Sequence, residues 1–175
     1  VDYNNQDIII ARATPVGKSA LAAIRLSGSK VKNAVKGIIK FSNLKPNDIK
    51  YKKINSPTKK SIIDTSMVSY YSAPKSFTGE DMIEIFCHGN DIIVDNIIDE
   101  FLKKGVRIAY PGEFSYRAFK NGKIDLLQAE SIAAKINQNS KQYGVALQNI
   151  ESGYTSNQLV ELREEIVHTL TIIEH

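Results

Sequence analysis

Short apolar runs broken by turn residues fill the first 125 positions of this chain, and helical spacing takes over beyond Asp125. Ile8 to Ala13 reads as a strand that stops at Thr14-Pro15, and Leu21 to Ser27 as a second. In the second strand Ile24 and Leu26 share one face and Arg25 takes the other. Gly28 and Ser29 then open a predicted helix, because Val31, Ala34, Val35, Ile38 and Ile39 recur at helical intervals with lysines between them. Strands are predicted around Ile62 to Tyr71 and at Met82 to His88. A helix follows, capped by Asn90 or Asp91, with Val94, Ile97, Ile98, Phe101 and Leu102 as its buried stripe and Gly105 in its C′ position. Val106 to Tyr110 returns as a strand, and Pro111-Gly112 turns it into a short helix carrying Arg117.

After Asp125 the strand signals stop. Leu159, Leu162, Ile166, Leu170 and Ile173 form the seam of one long helix that reaches the end of the sequence without a stop signal. A single amphipathic helix cannot bury its stripe alone, so the reading expects a piece of a larger protein. Residues 1–124 are thus expected to form an α+β domain with a mixed sheet and flanking helices, and 125–175 the start of an all-α domain.

Composition alters this picture little. The 175 residues are 42% hydrophobic and 24% charged, with a net charge of +4, an ordinary globular balance. The charge permits an acidic partner without marking a nucleic-acid face. Lys45, Lys50, Lys52, Lys53, Lys59 and Lys60, in a stretch with Pro46 and Pro57, read as a solvated connection. Cys87 is the one cysteine, so no intrachain disulfide can form, which suits a reducing cytoplasm. No signal peptide is recognisable, and the apolar runs are too short to span a bilayer.

The candidate chemistry centres on Lys75 to Asn90, KSFTGEDMIEIFCHGN, where Glu84 sits among Met82, Ile83, Ile85 and Phe86 with no cation near it in sequence. A buried carboxylate costs several kcal/mol unless a partner meets it. Two readings fit: an edge strand with a wet outer face, or a carboxylate reserved for a ligand with adjacent N–H donors, such as a 2-amino-4-oxo pterin or a guanine ring. Arg25 can grip a carboxylate bidentately or be a plain surface arginine. Lys123 follows an Asn121-Gly122 turn, and Glu113 and Arg117 have the spacing to pair along a helix. Val16-Gly17-Lys18-Ser19 imitates the end of a phosphate-binding loop. It lacks the leading glycine, which is Arg12 here, and is followed by a β-like run instead of a helix, so a GTP site is rejected.

Lys75 to Asn90, AYPGEFSYRAFKNGKIDLLQAESIAAKI (Ala109 to Ile136) and, less tightly, IIIARATPVGKSALAAIRLSG (Ile8 to Gly28) resemble the N-terminal region of the MnmE/TrmE family of tRNA-modification GTPases. The three blocks keep the family's order and spacing over most of the chain. The sequence departs from the pattern at Lys18-Ser19-Ala20, where the family is glycine-rich, and at Asn90, where it has a second glycine.

The resemblance implies a domain similar to the folate-binding domain of aminomethyltransferases, holding a tetrahydrofolate derivative (5-formyl or 5,10-methylene) at Arg25, Glu84 and Lys123. A fourth family position, a C-terminal lysine, is absent from this sequence. The resemblance further implies a cytoplasmic homodimer and a GTPase that uses Mg²⁺ and K⁺. That GTPase would work with a flavin-dependent MnmG/GidA-type partner on the wobble uridine of certain tRNAs. Two alternatives stay open. A stand-alone one-carbon transferase would need an acid–base residue, for which Glu84 and His88 are the only candidates, and a dimerisation scaffold would need no ligand.

Overall fold

The computed structural model describes residues 7–136, 147–150 and 152–173. Its contacts divide the chain into two compact units, one ending at Arg117 and one beginning at Ala118, a division that falls inside a helix. The protein is α+β with a mixed sheet, as expected.

The first unit is built on a six-stranded sheet in the order β3-β4-β5-β2-β1-β6. The strands are β1 (Ile9–Arg12), β2 (Ser19–Ser27), β3 (Ile49–Ser56), β4 (Ser61–Tyr71), β5 (Met82–Gly89) and β6 (Arg107–Ile108). All neighbours are antiparallel except β1 and β6, which are parallel. Alternation along the strands sends Ile10, Ile24, Leu26, Val68, Ile83 and Ile85 to one face. There they pack with Val94, Ile97 and Phe101 of α2 (Asp91–Leu102) in a single apolar cluster. Burying a side chain of that size contributes about 1.5–3 kcal/mol.

Helix α2 has the ends its sequence predicts. The Asn90 side chain accepts from the Ile92 N–H. At the other end Val106 N–H bonds Phe101 O and Gly105 N–H bonds Leu102 O. With Gly105 at φ +81°, these two bonds form the left-handed cap that favours glycine.

Three expectations are corrected. The helix predicted after Gly28 survives only as α1 (Val31–Ala34), because Gly37 at φ +84° turns the chain. The whole stripe through Ile39 is nevertheless buried, so its periodicity reported burial and not helix. The Lys45 to Lys60 stretch is not simply a connection, since it contains β3, paired to β4 from Ile49↔Ser69 to Ser56↔Ser61. The strand after Val106 is only two residues long.

The second unit is helical, as expected beyond Asp125: the end of α3 (Glu113–Lys120), α4 (Leu126–Ile136), residues 147–150 and α5 (Tyr154–Ile173). Asp125 caps α4 through Gln128 N–H at 2.8 Å and also accepts the Ser156 hydroxyl at 2.7 Å. Leu159, Leu162, Ile166 and Leu170 are exposed along α5. No helix among the described residues is long and apolar enough to cross a membrane.

Candidate functional site

The face of the sheet away from α2 carries the polar residues the sequence singled out. Arg25 on β2, Glu84 on β5 and Ser69 on β4 lie in one row across three strands. Arg25 Nε donates to Glu84 Oε1 at 2.7 Å, and Tyr71 Oη donates to Oε2 at 3.3 Å. β5 is an interior strand, so the edge-strand reading of Glu84 is wrong. Its side chain is 10% exposed, and Arg25 is the cation that offsets its burial. The two lie 59 residues apart, which is why no cation was visible in the local sequence.

The pair is not closed. The Arg25 side chain is 40% exposed, and its terminal nitrogens have no hydrogen-bond partner among the described residues. The guanidinium also faces the Phe77 ring, 5.9 Å from its centroid. Arginine N–H donors therefore stand beside carboxylate lone pairs, next to an aromatic wall. That arrangement suits a planar ring presenting donors and an acceptor along one edge. Lys123 lies in the second unit, exposed, in the turn after α3, where its N–H bonds Ala118 O at 2.8 Å. The structure thus brings Arg25 and Glu84 into contact and describes Lys123 within its own unit.

The loop that bears Phe77 is held by a buried charge network. Arg117, 1% exposed, bonds Asp7, Glu80 Oε2 at 3.2 Å and Glu113 Oε1 at 3.0 Å. Arg107 takes both Glu113 oxygens, at 2.7 and 3.0 Å, and Asp7 Oδ2 at 2.7 Å. Glu80 in turn accepts from Ser27 Oγ at 2.7 Å, two residues from Arg25. Burial works to raise the Glu113 carboxyl, but Arg107, the Tyr110 N–H and Arg117 outweigh it and hold the group below its usual range. Asp7 is likewise held low, with burial opposed by Arg107 and Arg117. The expected Glu113–Arg117 pairing is present. Sequence spacing could not show Asp7, Glu80 and Arg107 joining it, since their separations run to 110 residues.

His88 has its own partner. Its backbone N–H and ring Nδ1 meet the two oxygens of Asp64, at 3.0 and 2.8 Å. Burial pushes the Asp64 carboxyl up, but the His88 N–H and ring, with Ser66, hold it below its ordinary value. Glu84 and His88 share a face of β5 four residues apart, roughly 13 Å, so they do not form an acid–base pair with each other. The phosphate-loop imitation is closed on itself. Arg12 Nη1 and the Gly17 N–H both bond Asp91 Oδ1, at 2.5 and 3.1 Å, and β2, not a helix, begins at Ser19. Gly89 is required nearby, because a Cβ there would lie 2.3 Å from Ser19 O.

Cys87 is buried, and burial raises its thiol to about 11, which leaves it inert as a nucleophile. No cluster of metal-ligating side chains occurs among the described residues. Tyr71 and Phe77 are the lining residues that sequence reasoning missed. Tyr71 follows from strand parity only once the β4–β5 register is known.

A family model described as the N-terminus of the GTP-binding protein TrmE matches residues 8–123. The chain is 42% identical to the tRNA modification GTPase MnmE of Fervidobacterium nodosum, over 99% of this chain and 39% of that protein. It is 40% identical to the Flavobacterium johnsoniae protein of the same name (97% and 37%) and 42% to that of Streptococcus mutans (98% and 38%). It therefore spans about two-fifths of the length of these relatives. With a match running from β1 through the Lys123 turn, the chain belongs to the MnmE/TrmE family and corresponds to its N-terminal domain.

Proposed function

We propose that this chain holds a one-carbon tetrahydrofolate on the Arg25–Glu84 pair, as part of a GTPase that modifies tRNA. The observation that carries the reading is the open ion pair. Glu84 keeps lone pairs for the N3–H and 2-amino donors of a pterin, and Arg25 keeps terminal N–H groups for its 4-oxo acceptor or for a glutamyl carboxylate. Lys123 would supply a second cation to the ligand's carbonyl or tail. The bound folate, 5-formyl or 5,10-methylene, would supply the one-carbon unit, while these residues bind and orient it.

In this reading residues 1–124 form a folate-binding and dimerising domain of the aminomethyltransferase type, and 125–175 begin a helical domain. GTP, with Mg²⁺ and K⁺, would act elsewhere in the family's proteins, since Gly17-Lys18-Ser19 runs into a strand. The relatives' name supports a tRNA substrate. The specific chemistry proposed is modification of the wobble uridine at C5 to carry a carboxymethylaminomethyl group, in the cytoplasm, with a flavin-dependent MnmG/GidA-type partner.

One observation favours the rival scaffold reading: Arg25 already satisfies Glu84 without a ligand. Calorimetric titration of the chain with 5-formyltetrahydrofolate separates the two. Saturable binding that Glu84→Gln weakens about tenfold or more is expected, whereas no heat from the unaltered chain would leave the scaffold.

A further inference from the structure

The positive charge of this protein is concentrated in one place. From Lys30 to Lys60, ten lysines stand against a single carboxylate, Asp48, a local charge of +9 in a chain whose total is +4. The remaining residues are therefore net acidic. The fold gathers these lysines at one sheet edge. β3 is the outermost strand. Residues 31–44 are tied to it by the Ile39–Ile54 bridge and by Asn55 N–H on Ile38 O at 2.8 Å. The end of α2 adds Lys104, whose Nζ lies 3.9 Å from where a Cβ on Gly37 would be, while its neighbour Lys103 is paired with Glu100 at 2.8 Å. All these lysines are exposed except Lys52, which is half-buried.

Strand alternation puts Lys50 and Lys52 on one side of the edge and Tyr51 and Lys53 on the other. The lysines thus form a rim on and beside β3, whose eight residues span about 26 Å. Lysines on an edge strand discourage pairing with another chain. That protection accounts for Lys50 and Lys52 but not for Lys36, Lys40, Lys59, Lys60 and Lys104 outside the strand. Nor does it account for Tyr51, an aromatic ring 69% exposed in the middle of the charge.

We infer that this rim is a docking surface for the backbone of single-stranded or loop RNA, with Tyr51 as a stacking platform for a base. The inference rests on the tRNA-directed reading above and adds the place of contact. A polyanion satisfies a row of lysines by releasing its counterions, and an exposed ring among lysines is what stacks unpaired bases. An anionic membrane would favour an amphipathic helix over a strand edge. A second copy of this edge would set like charges opposite one another.

The test is fluorescence anisotropy of the 175-residue chain with a labelled RNA stem-loop, a blunt RNA duplex and anionic lipid vesicles, between about 50 and 200 mM salt. The triple variant Lys50→Glu, Lys52→Glu, Lys53→Glu should weaken stem-loop binding at least tenfold. It should also flatten the dependence of log K on log salt by about 2 or more. Lys18→Glu, Lys75→Glu, Lys120→Glu removes the same charge away from the rim and should cost less than threefold. Tyr51→Ala should lose about fivefold or more on the stem-loop and nothing on the duplex. Equal losses for the two triple variants would overturn the inference, as would no saturable RNA binding, tighter binding to vesicles, or a rim variant that loses self-association instead. Folate calorimetry on the same variants keeps the readings apart. Lost RNA binding with folate binding intact concerns the rim, and lost folate binding in the unaltered chain concerns the Arg25–Glu84 site.

Discussion

Two of the arginine–carboxylate contacts on this scaffold have opposite outcomes. Around Arg117 the groups are enclosed: Arg117 is 1% exposed and Glu113 fully buried, and each carboxylate has two or more donors. Among the described residues, Arg117 Nε is the one buried side-chain atom of this cluster without a partner. Around Arg25 there is a single strong bond, a long one from Tyr71, and an arginine nearly half in solvent. A saturated cluster has nothing left to offer a ligand and can only hold structure. An unsaturated one is stable enough to persist and still has donors and acceptors to give.

The largest effect should fall on the enclosed cluster. Arg117→Met removes the cation of Glu80 and leaves Asp7 and Glu113 to Arg107 alone, and breaking such a buried network costs about 3–5 kcal/mol. Urea unfolding at neutral pH measures this, and a loss under about 1 kcal/mol would erase the contrast. Next comes the open pair. Glu84→Gln should cost folate at least ~1.5 kcal/mol of binding, with little change in melting temperature, whereas Arg25→Ala should weaken binding and also lower the melting temperature, because it leaves Glu84 without its cation. A large fall in stability with unchanged affinity would make Arg25–Glu84 a structural pair.

Acid sharpens the comparison further. Asp7 and Glu113 are held below their ordinary values in the folded chain. Their stabilisation is therefore fully present above the unfolded carboxylate range near 4, and is lost as pH falls through the lower folded values. The stability gap between the unaltered chain and Glu113→Gln should accordingly narrow below about pH 4, and a constant gap would contradict the assignment. The smallest effect belongs to Tyr71→Phe, which removes a 3.3 Å bond to Glu84. About 0.5–1 kcal/mol or less is expected, in binding or stability.

Sequence reasoning reached the elements whose signals are local. Alternation placed β1, β2, β4 and β5 within two residues, and the Asn90 cap and Gly105 fixed both ends of α2. It failed where tertiary context decides. Lysines at alternate positions of β3 look solvated, and they are, yet the backbone between them still pairs with β4. The Val31 to Ile39 stripe is apolar at helical intervals because it is buried, but Gly37 breaks the helix that would carry it. At the site, Arg25 and Glu84 were legible as residues and not as partners. Their pairing depends on β2 and β5 lying side by side in register, which no local pattern encodes.

That register has a kinetic consequence. β3 and β4 are joined by a short hairpin, whereas β2 and β5 meet only after the chain between Arg25 and Glu84 has closed, a separation of 59 residues. Loop-closure entropy must be met before such contacts return anything, so long-range pairings set a slow pace. Arg25 and Glu84 are brought together by the longest closure among the antiparallel pairs of the sheet. A nascent or partly unfolded chain can therefore carry a complete β3–β4 hairpin, lysines and all, while it lacks the Arg25–Glu84 pair.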